Sequence, residues 1–134
     1  RQVSRPGQTL EKARQWLVHA QNPDGSWGGF PRGSPSIEET ALAVEALASL
    51  PCDSDTIAAL SAGLGWLLEK IASDEWRRPS PIGFYFAKLW YYERLYPMIF
   101  TVAALGRARD YLGQSQQLKD HGSHPSARVL PGIS

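Results

Sequence analysis

The chain is poor in cysteine, in net charge and in long apolar runs. Its single cysteine, Cys52, excludes an internal disulfide and a cysteine-rich zinc site, and it agrees with a reducing compartment. His19, His121 and His124 lack ligand spacing with Cys52, so no metal site is expected. Lys and Arg number 14 against 13 Asp and Glu, a net charge of +1 that argues against a general nucleic-acid surface. No run reaches the ~20 apolar residues that cross a bilayer; Met98–Leu105 is apolar but too short. No stretch of useful length alternates apolar and polar residues, which leaves helix as the expected element throughout. The chain opens on Arg1 rather than Met and shows no signal peptide, so it is expected to be a piece of something longer.

What is present is helical periodicity punctuated by turns, with five Trp and five Tyr. Thr9 is placed to cap a first helix whose apolar face carries Leu10, Ala13, Leu17 and Ala20, with Trp16 flanking it. Asn22-Pro23-Asp24-Gly25 demands a tight turn. Ser36 and Glu39 form a capping box, in which Glu39 is expected to reach back to the Ser36 amide. The helix that follows is rich in alanine and stops before Pro51. Asp53 or Asp55 caps a third helix with the stripe Ile57, Leu60, Leu64, Leu67 and Ile71. Gly63 and Gly65 weaken that helix by up to ~1 kcal/mol each, and a glycine kept there implies a close neighbour. Arg77–Pro81 breaks the pattern, Ile82–Tyr96 is dense in aromatics, and Pro97 suits the first turn of a last helix over about Met98 to Leu112. Residues 113–134 read as a loose tail. Trp16-Leu17-Val18 is echoed by Trp66-Leu67-Leu68 at a spacing of 50 residues, the period of a two-helix repeat that buries its faces by stacking.

Ala13, Trp16-Leu17, Gln21, Gly25 and Trp27 together resemble the QW motif of the squalene–hopene cyclase and oxidosqualene cyclase family. Two further segments are similar to that family in the same order. Pro35-Ser36-Ile37-Glu38-Glu39-Thr40-Ala41 resembles its Pro-Ser-x-x-Gln-Thr-Ala helix, with Glu39 where Gln is usual. Gly83-Phe84-Tyr85-Phe86 through Tyr91-Tyr92, then Tyr96-Pro97 and Ala104-Leu105-Gly106-Arg107, resembles its C-terminal end, where an aromatic helix precedes a proline. The resemblance spans Leu10 to Leu112. It implies an all-α fold, a partial (α/α) toroid of about five helices, divided as residues 1–9 (a truncated linker or helix end), 10–112 (the toroid portion) and 113–134 (the tail).

It also implies chemistry. Cyclases of this class initiate polyene cyclisation with an Asp-x-Asp-Asp acid, which this sequence lacks. Asp53-Ser54-Asp55 is the nearest run, and helix capping accounts for it. No residue here is therefore read as catalytic, and the chain alone is expected to be inactive. Family positions facing the substrate cavity, where aromatic faces stabilise carbocations, fall on Tyr85 and Tyr92, with Phe84 and Phe86 nearby. Trp16, Gln21, Gly25 and Trp27 take a structural role. The expected substrate of the parent protein is an isoprenoid such as squalene, with no cofactor and no nucleic acid. Its expected location is the cytoplasm or, monotopically, the membrane surface. Exposed helix faces imply dimerisation of the isolated chain. The alternative is a non-catalytic α/α-toroid module that binds a lipid or protein partner. Glycosidase-like use of Glu38 and Glu39, a prenyltransferase zinc set, a complement-type thioester and a phosphate loop at Gly25–Gly29 are each less well matched.

Overall fold

The computed structural model describes residues 6–51, 53–84 and 89–122. Among these residues the elements are α1 (Pro6–Ala20), α2 (Ile37–Leu47), α3 (Ser54–Ala72), a 3₁₀ turn (Glu75–Arg77), β1 (Ser80–Phe84), β2 (Leu89–Glu93) and α4 (Leu95–Gly122). The fold is helical in its core, in keeping with the all-α expectation. It departs from that expectation in one segment.

That segment is the aromatic stretch, expected as a helix. It forms an antiparallel hairpin with the register Ser80↔Glu93, Pro81↔Tyr92, Ile82↔Tyr91, Gly83↔Trp90 and Phe84↔Leu89. Trp, Tyr and Phe favour extended backbone. Pro79 and Pro81 also disfavour helix for the residues before them. A two-stranded ladder has only edge strands, which is where a proline such as Pro81 is tolerated. One expected helix is thereby replaced, and four α-helices stand among the described residues.

Two helix ends also differ from expectation. Pro6, not Thr9, opens α1, because proline's fixed φ suits a first turn. Helix α4 runs to Gly122, ten residues beyond the expected stop at Leu112. Gly113 does not end it, since a single glycine costs only about 1 kcal/mol against a helix already propagating.

The core forms where α2 meets α3 on one side and α4 on the other. Leu47, Val44, Leu60 and Leu67 are its largest fully buried apolar side chains. Ala41, Ala104 and Ala108 are buried as well, and their small size lets the α2 and α4 backbones approach. Pro97 is buried in the first turn of α4, where its carbonyl accepts from the Thr101 hydroxyl at 2.6 Å. The buried stripe of α3 is Thr56, Ala59, Leu60, Gly63, Trp66 and Leu67. It is rotated from the expected one, so Ile57, Leu64 and Ile71 lie only partly covered. Gly63 is the reason: with no side chain, it brings α3 against the Trp27 ring, and a Cβ there would fall 2.7 Å from Trp27 Cζ3.

Helix α1 is the least embedded, with Ala20 its only buried residue. Arg14 anchors it. The guanidinium meets the Asp53 carboxylate at 2.9 Å and the Thr56 hydroxyl at 3.3 Å, tying α1 to the start of α3. Glu11 and Asp53 both keep Arg14 firmly protonated, its pKa raised chiefly by the hydrogen bonds to Glu11.

Candidate functional site

Helix α1 ends at Ala20, and the next residue turns its side chain to the neighbouring helix. Gln21 Nε2 donates to the Gly25 carbonyl at 2.9 Å and to the Ala59 carbonyl of α3 at 2.8 Å. The turn itself closes with the Gly25 amide donating to the Asn22 carbonyl at 2.9 Å. Gly25 has φ +90° and a hypothetical Cβ only 2.6 Å from the Ala62 carbonyl oxygen, so both conformation and space require glycine. Asp24 accepts from the Ser26 hydroxyl at 2.6 Å and its amide at 3.1 Å, which lowers the pKa of its carboxyl. Asn22 completes the loop by donating to Gly33 O at 3.1 Å.

Trp27 is the pivot. Its indole is 3 % exposed and packs on Gly63, while Nε1 donates back to the Leu17 carbonyl at 2.8 Å. Leu17 lies in the last turn of α1, where carbonyls lack helical partners. The Trp27 amide donates to Thr40 Oγ1 at 3.0 Å, and the same hydroxyl donates to Ser36 O at 2.7 Å. The Trp27 carbonyl accepts from the Ser36 amide at 3.1 Å. That bond corrects the expected capping box. With the Ser36 amide taken by Trp27, Glu39 instead accepts from the Ser36 hydroxyl at 2.8 Å, while Ser36 Oγ accepts from the Glu39 amide at 3.1 Å. Thr40, buried and central to this network, belongs to no hydrogen-bonding motif recognisable from spacing alone. Trp16 stands apart, 54 % exposed on α1.

The aromatic residues read as cavity lining are placed by backbone only. Phe84 closes β1 opposite Leu89, and Tyr92 lies opposite Pro81. Three ladder steps therefore separate their positions, roughly 10 Å along the strands. Tyr85 and Phe86 lie outside the described residues.

The carboxylates show what acid chemistry the fold supports. Asp53 caps α3 by accepting from the Thr56 amide at 2.8 Å, and that bond lowers its pKa. An acid strong enough to protonate an alkene must hold its proton; a capping carboxylate at neutral pH holds none. A cavity of about 260 Å³ lies between the start of α2 and the end of α3, lined by Ser36, Glu38, Trp66, Lys70, Glu75 and Arg78 among others. In it Lys70 pairs with Glu75 at 3.1 Å and sits 5.2 Å over the Trp66 ring. Lys70 and Ser73 hold the Glu75 carboxyl below its usual pKa. Glu38 Oε1 is buried beside this cavity and accepts no hydrogen bond from the described residues. Among the described residues no three His, Cys, Asp or Glu side chains converge as a metal site. No described helix is long and apolar enough to cross a membrane.

No family model matches this chain, and no solved structure matches it. Over 54 residues it is 44% identical to a Type B diterpene cyclase of Mycobacterium tuberculosis (strain ATCC 25618 / H37Rv). The match takes in 39% of this chain and spans 11% of that protein. It supports a relationship to terpene cyclases.

Proposed function

We propose that this chain is the C-terminal part of a squalene–hopene-cyclase-like terpene cyclase, contributing scaffold and cavity wall to acid-initiated polyene cyclisation. One observation carries the reading. Gln21, Gly25 and Trp27, the residues that resemble the family's motif, converge on α3 and on the end of α1 as a multi-helix tie. The partial identity to a terpene cyclase supports it from outside the structure. The substrate is an isoprenoid, squalene or a shorter polyene. The acid comes from residues other than these, because the one candidate run caps a helix. Tyr85, Tyr92, Phe84 and Phe86 are the residues assigned to the cavity wall. The parent works at the membrane surface, where such substrates dissolve. The toroid is completed by further helices packing on the exposed faces of α1 and α4.

The test is expression of the complete reading frame that contains these residues. It is incubated with squalene and with a C20 polyene, and products are read by gas chromatography–mass spectrometry. Cyclised product, abolished when an upstream Asp-x-Asp-Asp is changed to Asn, is the expected result. A frame without such a run and without product refutes the cyclase reading and leaves the non-catalytic module. Cyclised product from the 134-residue chain alone refutes the assignment of the acid elsewhere.

A further inference from the structure

The hairpin does something that neither its aromatics nor the Gln21–Trp27 tie accounts for. Its register pairs Ser80 with Glu93, so Arg94, one step beyond the ladder, comes opposite Pro79 and beside Arg78. Residues 16 apart in sequence thus meet at the base of the hairpin. There they line a cleft of about 530 Å³ with Ser73, Asp74 and Arg77.

The cleft has three guanidinium groups against one carboxylate. Asp74 is committed to Arg77, with Nε to Oδ1 at 3.1 Å, and Arg77 also lies 5.6 Å over the Trp76 ring. Arg78 and Arg94 make no side-chain ion pair or hydrogen bond among the described residues. The Glu75 carboxylate, already paired with Lys70, feels the Arg78 charge and offsets it in part; guanidinium groups that line one concavity still repel each other unless an anion sits between them. Arginine's planar fork fits phosphoryl oxygens two at a time. The Ser73 hydroxyl donates weakly, at 3.2 Å, to neighbouring oxygens of Lys70 and Glu75, and lies at the rim.

We propose that this cleft is a binding site for a phosphate or diphosphate group, held by Arg78 and Arg94 with Arg77 as the third cation. The group is either part of a soluble phosphate ester or the headgroup of an anionic phospholipid. The site stands on the hairpin's register and the cleft's charge, independently of whether the parent protein is a cyclase.

The test uses the full chain at low ionic strength, with inorganic diphosphate titrated by calorimetry. In parallel, phosphatidylcholine vesicles with and without phosphatidic acid are tested by co-sedimentation. Arg78→Gln and Arg94→Gln should each weaken binding roughly tenfold, as loss of one charge-assisted hydrogen bond implies. Arg78→Lys and Arg94→Lys keep the charge but lose the fork, and should fall between. Arg107→Gln removes one positive charge elsewhere, on α4 near Glu45, and should leave binding unchanged. Far-ultraviolet circular dichroism checks that each variant is folded; should a Gln variant unfold, the Lys series carries the comparison. Diphosphate binding that follows this order assigns a soluble phosphate ester. Vesicle binding that needs phosphatidic acid, follows this order and occurs without diphosphate binding assigns a headgroup. No binding of either probe overturns the site, as does wild-type affinity in the Arg78 and Arg94 variants, or equal weakening by Arg107→Gln.

Discussion

Gly63 and Gly65 lie two residues apart on α3 and carry the same helix penalty, yet alanine at each should move stability in opposite directions. Alanine recovers about 1 kcal/mol of helix propensity at either site. At position 65 a new Cβ meets nothing within 4 Å, so Gly65→Ala should keep that gain. At position 63 the Cβ would land 2.7 Å from Trp27 Cζ3 and 2.8 Å from Val44 Cγ2. Neither neighbour can yield freely. Trp27 is held by its bond to the Leu17 carbonyl at 2.8 Å, and Val44 is fully buried. Overpacking of this kind costs ~1–3 kcal/mol, and the upper part of that range applies between two held neighbours, so after the propensity gain of about 1 kcal/mol the net effect of Gly63→Ala is a loss of up to about 2 kcal/mol. The two variants should then differ by the overpacking cost itself, about 1–3 kcal/mol, on the order of 5–10 °C in thermal midpoint for a domain of this size. Circular dichroism melts and urea titrations of the two proteins against wild type measure it. Equal stabilisation by both substitutions would refute the reasoning, because it would mean that Trp27 does not rest on Gly63.

Thr40→Val keeps the shape of a buried residue but leaves the Trp27 amide without its 3.0 Å acceptor, and should destabilise by about 1–3 kcal/mol in urea; a neutral result removes Thr40 from the network. Gln21→Ala strips hydrogen bonds from the Gly25 and Ala59 carbonyls and should cost about 1–2 kcal/mol, read from the same titration. The carboxyls of Asp24 and Asp53 have folded pKa values lowered by hydrogen bonds from Ser26 and Thr56. Their contribution is therefore complete above the unfolded value of ~3.9 and is lost as pH falls through it toward the lower folded value. Urea midpoints should hold from neutral pH to about 5 and drop below about 4, and Asp53→Asn should make that drop shallower; an unchanged slope counts against the assignment. Leu95, Ile99 and Val102, each more than half exposed, line one face of α4, so size-exclusion chromatography should show concentration-dependent association that Ile99→Glu suppresses. A monomer at every concentration argues against it.

The helical elements and the tie were legible because each rests on local chemistry. Ser36 announced a helix start by its side chain and caps as expected, and of the two candidates Asp53 and Asp55 it is Asp53 that caps α3. Gln21, Gly25 and Trp27 could be picked out together because a turn fixes their spacing. What they touch could not be read, since Ala59, Ala62 and Gly63 are neighbours only through packing. The hairpin stayed hidden for a physical reason. Ile82–Tyr96 is nearly all aromatic or apolar, so the period-2 alternation that betrays a half-buried strand is absent. The prolines at 79 and 81 were the available signal, and they spoke against helix more than for strand. Arg78 and Arg94 were likewise invisible as a pair, because only the strand register brings them together. Glu39 shows a subtler limit. The capping-box spacing identified the right partners, but a competing carbonyl, that of Trp27, decided which of the Ser36 groups Glu39 would meet.

The structure separates rigidity from recognition along the chain. Residues 17–63 hold the tie: an indole, a side-chain amide and a hydroxyl, whose donor groups are engaged by backbone carbonyls of α1, α3 and the turns between the helices. A ligand that competed for those groups would have to break the bonds that join the helices. Among the described residues, groups with unused hydrogen-bonding capacity lie around the far end of α3 and the hairpin base: Glu38 Oε1 in one concavity and the Arg78 and Arg94 guanidinium groups at the next. The two sets should therefore respond independently to substitution. Changes at Gln21, Trp27, Thr40 or Gly63 should shift unfolding midpoints while leaving anion affinity per folded molecule constant. Changes at Arg78 or Arg94 should shift affinity while leaving midpoints near wild type, or raising them slightly as the repulsion between the two cations is relieved. A tie variant that kept its fold but lost anion binding would show that the hairpin base is positioned by the tie, and the separation would fail.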